Sequence, residues 1–229
     1  MDNILDTPYF GLLISIISFE IGLFLYNSKK VAILNPLLIS VTMIILFLTG
    51  FNIDLNYYNQ GGDLIAFFLG PATVILALPL YRQINLLKKN LFPILAGVIV
   101  GVSTAVVSVK LLGNLFGLSE VIQLSLMPKS ITTPIGIEVS SQIGGIPSIT
   151  VAAIVVAGIL GAVVGPWILM LFKIDDQVAV GISLGTASHA LGTTKAMELG
   201  EKEGAMSSLA IGVAGLLTVV LIPLLLLVL

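Results

Sequence analysis

The chain has 229 residues, 57% of them hydrophobic and only 10% charged, with a formal net charge of −2. A soluble domain carries roughly 25% charge, and the mean hydropathy here is +1.14. This excludes a water-soluble fold, because helices that are apolar all round must face lipid or one another, and the small net charge excludes nucleic acid as a partner.

The absence of cysteine and the single histidine rule out disulfides, thiolate sites and a multi-histidine metal centre within one chain. No metal or cofactor is therefore expected. The opening MDNILDTPYF carries two aspartates and no basic residue. That is the wrong start for a secretory signal peptide, so the first apolar run is expected to stay as a membrane span.

A spanning helix needs about 20 mostly apolar residues. In chain order such runs are Tyr9 to Tyr26, Val31 to Phe51, Gly62 to Tyr81, Leu91 to Leu112, Ser119 to Ile143, Ile149 to Phe172, Gln177 to Leu199 and Ala205 to Leu229. The fifth and seventh are unusually polar. The expected fold is all-α: one polytopic helical bundle over residues 1–229, with about seven to eight transmembrane segments. Broken or re-entrant helices are expected near 70–80, 126–143 and 185–198.

Lys29 and Lys30 follow the first run, and Arg82, Lys88 and Lys89 follow the third. The intervening GFNIDLNYYNQGGD, read as a loop, has no basic residue. The bias of basic residues toward cytoplasmic loops puts the N-terminus outside. Pro71-Ala72-Thr73-Val74 and Pro128-Lys129-Ser130-Ile131 share a Pro-x-[Ser/Thr]-aliphatic pattern. Matches this short fit chance as well as an inverted internal repeat of the kind that builds transporters.

The segment LMPKSITTPIGIEVSSQIGGIP places Lys129, Ser130, Thr132 and Thr133 beside prolines in a membrane segment. Thr133-Pro134 reads as an N-cap followed by proline at the first helical position. Two half-helices broken near Pro128 to Thr133 would then bring a helix N-terminus and an ammonium together, a suitable site for a small carboxylate. In GISLGTASHALGTTKAMELGEKEGA, His189 and Thr193 would share a helix face, and Gly192-Thr193-Thr194 reads as a second interruption.

Bland alternatives stand beside each reading. Lys129 and Lys195 could snorkel to an interface. Glu138 could be a paired structural acid or a proton carrier, and His189 a packed core residue or a titrating group. Trp167 fits packing or an interfacial anchor.

FFLGPATVILALPLY, SLMPKSITTPIGIEVSSQIGGIPSIT and GISLGTASHALGTTKAMELGEKEGAMSS closely resemble the signature stretches of the LrgB/CidB family. The opening LDTPYFGLLISI is more similar to the LrgB branch. The resemblance covers nearly the whole chain. It implies a multi-pass protein of the cell membrane, described in bacteria as antiholin-like and acting with a small LrgA-type partner to restrain murein hydrolases and lysis. Some relatives are linked to pyruvate uptake, and plastid relatives to glycolate and glycerate exchange. By resemblance, Thr73, Lys129, Ser130, Thr132, Thr133, Glu138, Ser188, His189 and Thr193 occupy motif positions.

The expected function is transport of small 2-oxo or 2-hydroxy monocarboxylates. Thr73, Lys129, Ser130, Thr132, Thr133, Ser188, His189 and Thr193 would bind substrate, and Glu138 or His189 would handle a coupled proton. The alternative is an antiholin-like regulator without transport of its own. An enzyme is not expected, because no metal-protease motif or nucleophile constellation is present. Gly-rich apolar spans favour helix association and hence a homodimer.

Overall fold

A computed structural model describes residues 5–29, 34, 36–68, 71, 74, 81 and 84–228. The chain divides into two compact units, Met1–Ala72 and Thr73–Leu229, each described by itself. Among the described residues all regular structure is helical. Four helices among the described residues are long and apolar enough to cross a bilayer, and the chain is a multi-pass membrane protein.

The first unit holds α1 (Pro8–Lys29), α2 (Pro36–Gly50) and α3 (Leu55–Phe67). The stretch read above as a loop thus contains a helix. Asp54 caps it by accepting a hydrogen bond from Asn56 N at 2.8 Å. The helix is held by backbone contact: a Cβ on Gly61 would come 2.7 Å from Gly11 Cα on α1. Ser15 Oγ and Tyr58 OH meet at 3.0 Å alongside. Polar residues on the rest of α3 mask this packing face from a hydropathy scan. Half of the third apolar run, and with it Thr73, lies outside the described residues.

The second unit holds α4 (Ile84–Lys89), α5 (Leu91–Leu115), α6 (Glu120–Leu126), α7 (Thr133–Gln142), α8 (Pro147–Leu171), α9 (Gln177–Leu199) and α10 (Glu201–Leu226). On α5, Ile94, Val98, Val102 and Val106 recur every four residues and are buried. They form one core with Met206, Leu209 and Val213 of α10. The fourfold spacing leaves a second, small-residue face of α5, Gly97 and Gly101, free to meet α9. A Cβ on either would come within 2.9 Å of Ile182 or 2.6 Å of Thr186, respectively.

Both polar segments double back rather than cross. After α5 the chain reverses, and Gln123 packs on Gly113. It turns again at residues 127–132, and α7 returns to the level of α6. The Thr150 hydroxyl of α8 lies 2.7 Å from both Ser125 O and Ser140 Oγ, so one level of the fold holds α6, α7 and the start of α8. Ile146 N also donates to Ser125 Oγ at 2.7 Å. The helix after this break starts at Thr133 with Thr132 as its N-cap and Pro134 in its first turn, one residue earlier than the expected Thr133 cap.

The second reversal is tighter. α9 consists of two helical limbs that meet in a kink at His189, whose φ of 41° and ψ of −132° are not helical. Beyond it Gly192 packs on the Leu184 carbonyl and on Ser188, so that a Cβ would lie 2.7 Å from Ser188 Cβ. Eight residues of straight helix would span about 12 Å. Accordingly Ser207 of α10 touches both limbs, against Gly185 on the outgoing one and Thr193 on the returning one. The expected interruption at Gly192 to Thr194 sits instead at His189, and the reversal removes the shared face proposed for His189 and Thr193.

The two hairpins enter from opposite ends of the unit. The first starts where α5 ends, and the second starts beside Asn90 and Pro93, where α5 begins.

Candidate functional site

The tip of the first hairpin is pinned by its apolar residues. Met127 and Ile131, each 2% exposed, are sunk in the core with Val213 and Ala214. Lys129 and Ser130, between these anchors, are thereby turned to the other side. There they line a cavity of about 420 Å³ with Gly97, Gly101, Thr104, Ser183 and Thr186. Each hairpin thus contributes polar side chains to one mainly apolar cavity: Lys129 and Ser130 from the first tip, Ser183 and Thr186 from the outgoing limb of the second.

Among the described residues Lys129 has no carboxylate partner; the ion pair there is Lys195 Nζ to Glu198 Oε2 at 2.8 Å, one turn apart and partly exposed. An ammonium within membrane-spanning structure needs water or an anion. Thr132 Oγ1, Thr186 Oγ1 and Ser188 Oγ are buried and lack a hydrogen-bond partner among the described residues. Buried hydroxyls are normally satisfied; of these three Thr186 lines the cavity, and further buried unpaired oxygens occur on Gln123, Glu203 and Thr218. The caps repeat the pattern: Thr132 makes no side-chain cap bond to the first turn of α7, whose N-terminal amides carry partial positive charge.

The remaining expected residues are distributed more widely. Thr133 begins α7 and is partly buried. Glu138 is exposed further along α7 and accepts from Gln142 Nε2 at 2.8 Å. Ser188 packs against Gly161 of α8. The His189 ring points the same way, with Nε2 2.9 Å from Ile154 O. A carbonyl only accepts, so Nε2 carries the proton. Thr193 Oγ1 and Ser207 Oγ are 2.7 Å apart. Hence Lys129 and Ser130 share the cavity, whereas Ser188, His189 and Thr193 bind the second hairpin to α8 and α10. Thr73 lies outside the described residues. The reading from sequence missed Thr104, Ser183 and Thr186. Their signal was the Gly97 and Gly101 pair four residues apart, a spacing that permits close helix approach.

The sequence pattern of the LrgB-like family matches residues 15–228. The chain belongs to the LrgB-like family. Similar curated proteins include Antiholin-like protein LrgB of Bacillus mycoides (strain KBAB4), 40% identical over 218 residues. The proteins of the same name from Bacillus cereus (strain B4264) and Bacillus anthracis (strain CDC 684 / NRRL 3495) are equally similar. In each case the match covers 95% of both chains. No solved structure is significantly similar to the chain. The paired hairpins and the Lys129 cavity therefore lie within the region matched to LrgB-like proteins.

Proposed function

We propose that this LrgB-like protein carries small monocarboxylates of the 2-oxo or 2-hydroxy acid type across the cell membrane. The observation that supports the reading is the cavity between the hairpins, where an ammonium without a carboxylate partner meets hydroxyl-bearing side chains. Its volume of about 420 Å³ falls within the usual range of small-molecule sites, roughly 300–1,000 Å³. Broken helices meeting inside the bilayer are the usual setting of transporter sites. Lys129 would neutralise the carboxylate, while Ser130, Thr104 and Ser183 would contact the 2-oxo or 2-hydroxy oxygen. The second hairpin would move against α8, with His189 and Thr193 as its attachments, and Glu138 is the remaining candidate for a coupled proton.

The deciding experiment is uptake of labelled pyruvate and glycolate into proteoliposomes, with and without an LrgA-type partner. Uptake abolished by Lys129→Met is expected. No accumulation above empty vesicles in either condition rejects the reading.

The chain's similarity to proteins named antiholin-like favours a second reading, an antiholin-like regulator of murein hydrolase activity and cell lysis without transport of its own. That role needs surfaces rather than a central charge. Lytic control unchanged by Lys129→Met but lost on altering the exposed faces would support it. A homodimer fits either reading.

A further inference from the structure

The Lys129 cavity adjoins a second one and shares lining residues with it. A space of about 390 Å³ reaches from Asn90 and Asp176 along the groove between α5 and the outgoing limb of α9. Gly97, Ile182 and Ser183 line both spaces, so they form the junction. The passage is narrow there, since a Cβ on Gly97 would come 2.9 Å from Ile182 Cγ2. Ser183 is exposed at this point and is the hydroxyl nearest the junction.

The far end of the groove holds most of the unit's lysines. Lys88 and Lys89 close α4 immediately before Asn90. Lys173 follows α8, and Lys202 opens α10 beside the start of α9. Lysine placement assigns this end to the cytoplasm, although Asp175, Asp176, Glu198, Glu201 and Glu203 stand there as well and balance the lysine charge. Asp176, the acidic residue at the mouth, is engaged as the N-cap of α9, accepting from Ala179 N at 2.9 Å. The helix N-terminus offsets its charge.

We infer that the Lys129 site is reached from the cytoplasm through this groove, with Gly97 and Ser183 as its gauge: the missing side chain sets the width and the hydroxyl greets the passing anion. The inference rests on the carrier reading for the identity of what passes, but the water route itself is tested separately. The chain contains no cysteine, so a single introduced thiol reports without background. Ser183→Cys, nearly isosteric, is exposed to a membrane-impermeant thiol reagent in vesicles of each orientation. Leu160→Cys serves as control, on an exposed apolar position of α8.

The expected result is reaction at Ser183→Cys from the cytoplasmic face at least about tenfold faster than at Leu160→Cys, slowed by adding Gly97→Val. Pyruvate or glycolate should protect the thiol. Reaction only from the opposite face, or at the control rate from both, overturns the route. Fast cytoplasmic reaction that no carboxylate slows upholds the route and counts against the carrier reading.

Discussion

The imidazole of His189 fills the volume that a side chain on Gly158 would need: a Cβ there would lie 2.7 Å from Nε2, the atom that also meets Ile154 O at 2.9 Å. One helix therefore lacks a side chain so that the turn of another can dock on its backbone. Gly158→Ala should expel the ring and destabilise the protein by about 1–3 kcal/mol, the usual cost of overpacking. The check is a lower Tm of the purified protein in detergent, with a parallel loss for Gly161→Ala, which collides with Ser188.

His189 also carries a positive φ of 41°, in a region that costs a non-glycine residue about 1–3 kcal/mol. His189→Ala loses the bond to Ile154 O and keeps the strain, whereas His189→Gly loses the bond but relaxes the backbone. The glycine variant should be the more stable of the two by about 1 kcal/mol. Equal midpoints in denaturation of the two variants would contradict the assigned turn.

Thr193 and Ser207 satisfy each other in a buried contact at 2.7 Å. Removing one partner strands the other, at about 1–3 kcal/mol, while removing both costs less than the sum. Thr193→Val, Ser207→Ala and the double variant form a cycle whose coupling should reach about 1 kcal/mol. Additive losses would mean that the returning limb of α9 is not held to α10 at this point.

Two hairpins leave α10 running as two full crossings would but reverse α8, so the end of α8 at Lys173 joins the start of α5 on the cytoplasmic side. Thiols introduced at Lys173 and Lys202 should react from the cytoplasm, and one at Ser119, in the turn between α5 and α6, from outside. Labelling of all three positions from one face would contradict the hairpins.

Much of this was legible in the sequence, for identifiable reasons. Apolar runs of spanning length give α1, α5, α8 and α10 because lipid imposes that length. The break at residues 127–132 was visible because prolines and hydroxyls there oppose a continuous rod. The turn at His189 was not, because positive φ is uncommon for any non-glycine residue and the contacts that hold the ring, Gly158 and Ile154, are remote in sequence. Helix α3 escaped because its packing face is mainly glycine, which hydropathy does not register. The cavity was half visible. Lys129 announces itself as a charge among apolar residues, whereas Thr186 and Ser183 acquire their role only when α9 folds against Gly97 and Gly101.

The shortness of the first hairpin also bears on how the protein is made. Its limbs, α6 of 7 residues and α7 of 10 residues, are each too brief to be retained in lipid on their own. The hydroxyl that ties them together belongs to Thr150, on a helix synthesised afterwards. The tie between the two limbs is therefore completed only once the start of α8 has been made, because Thr150 supplies it.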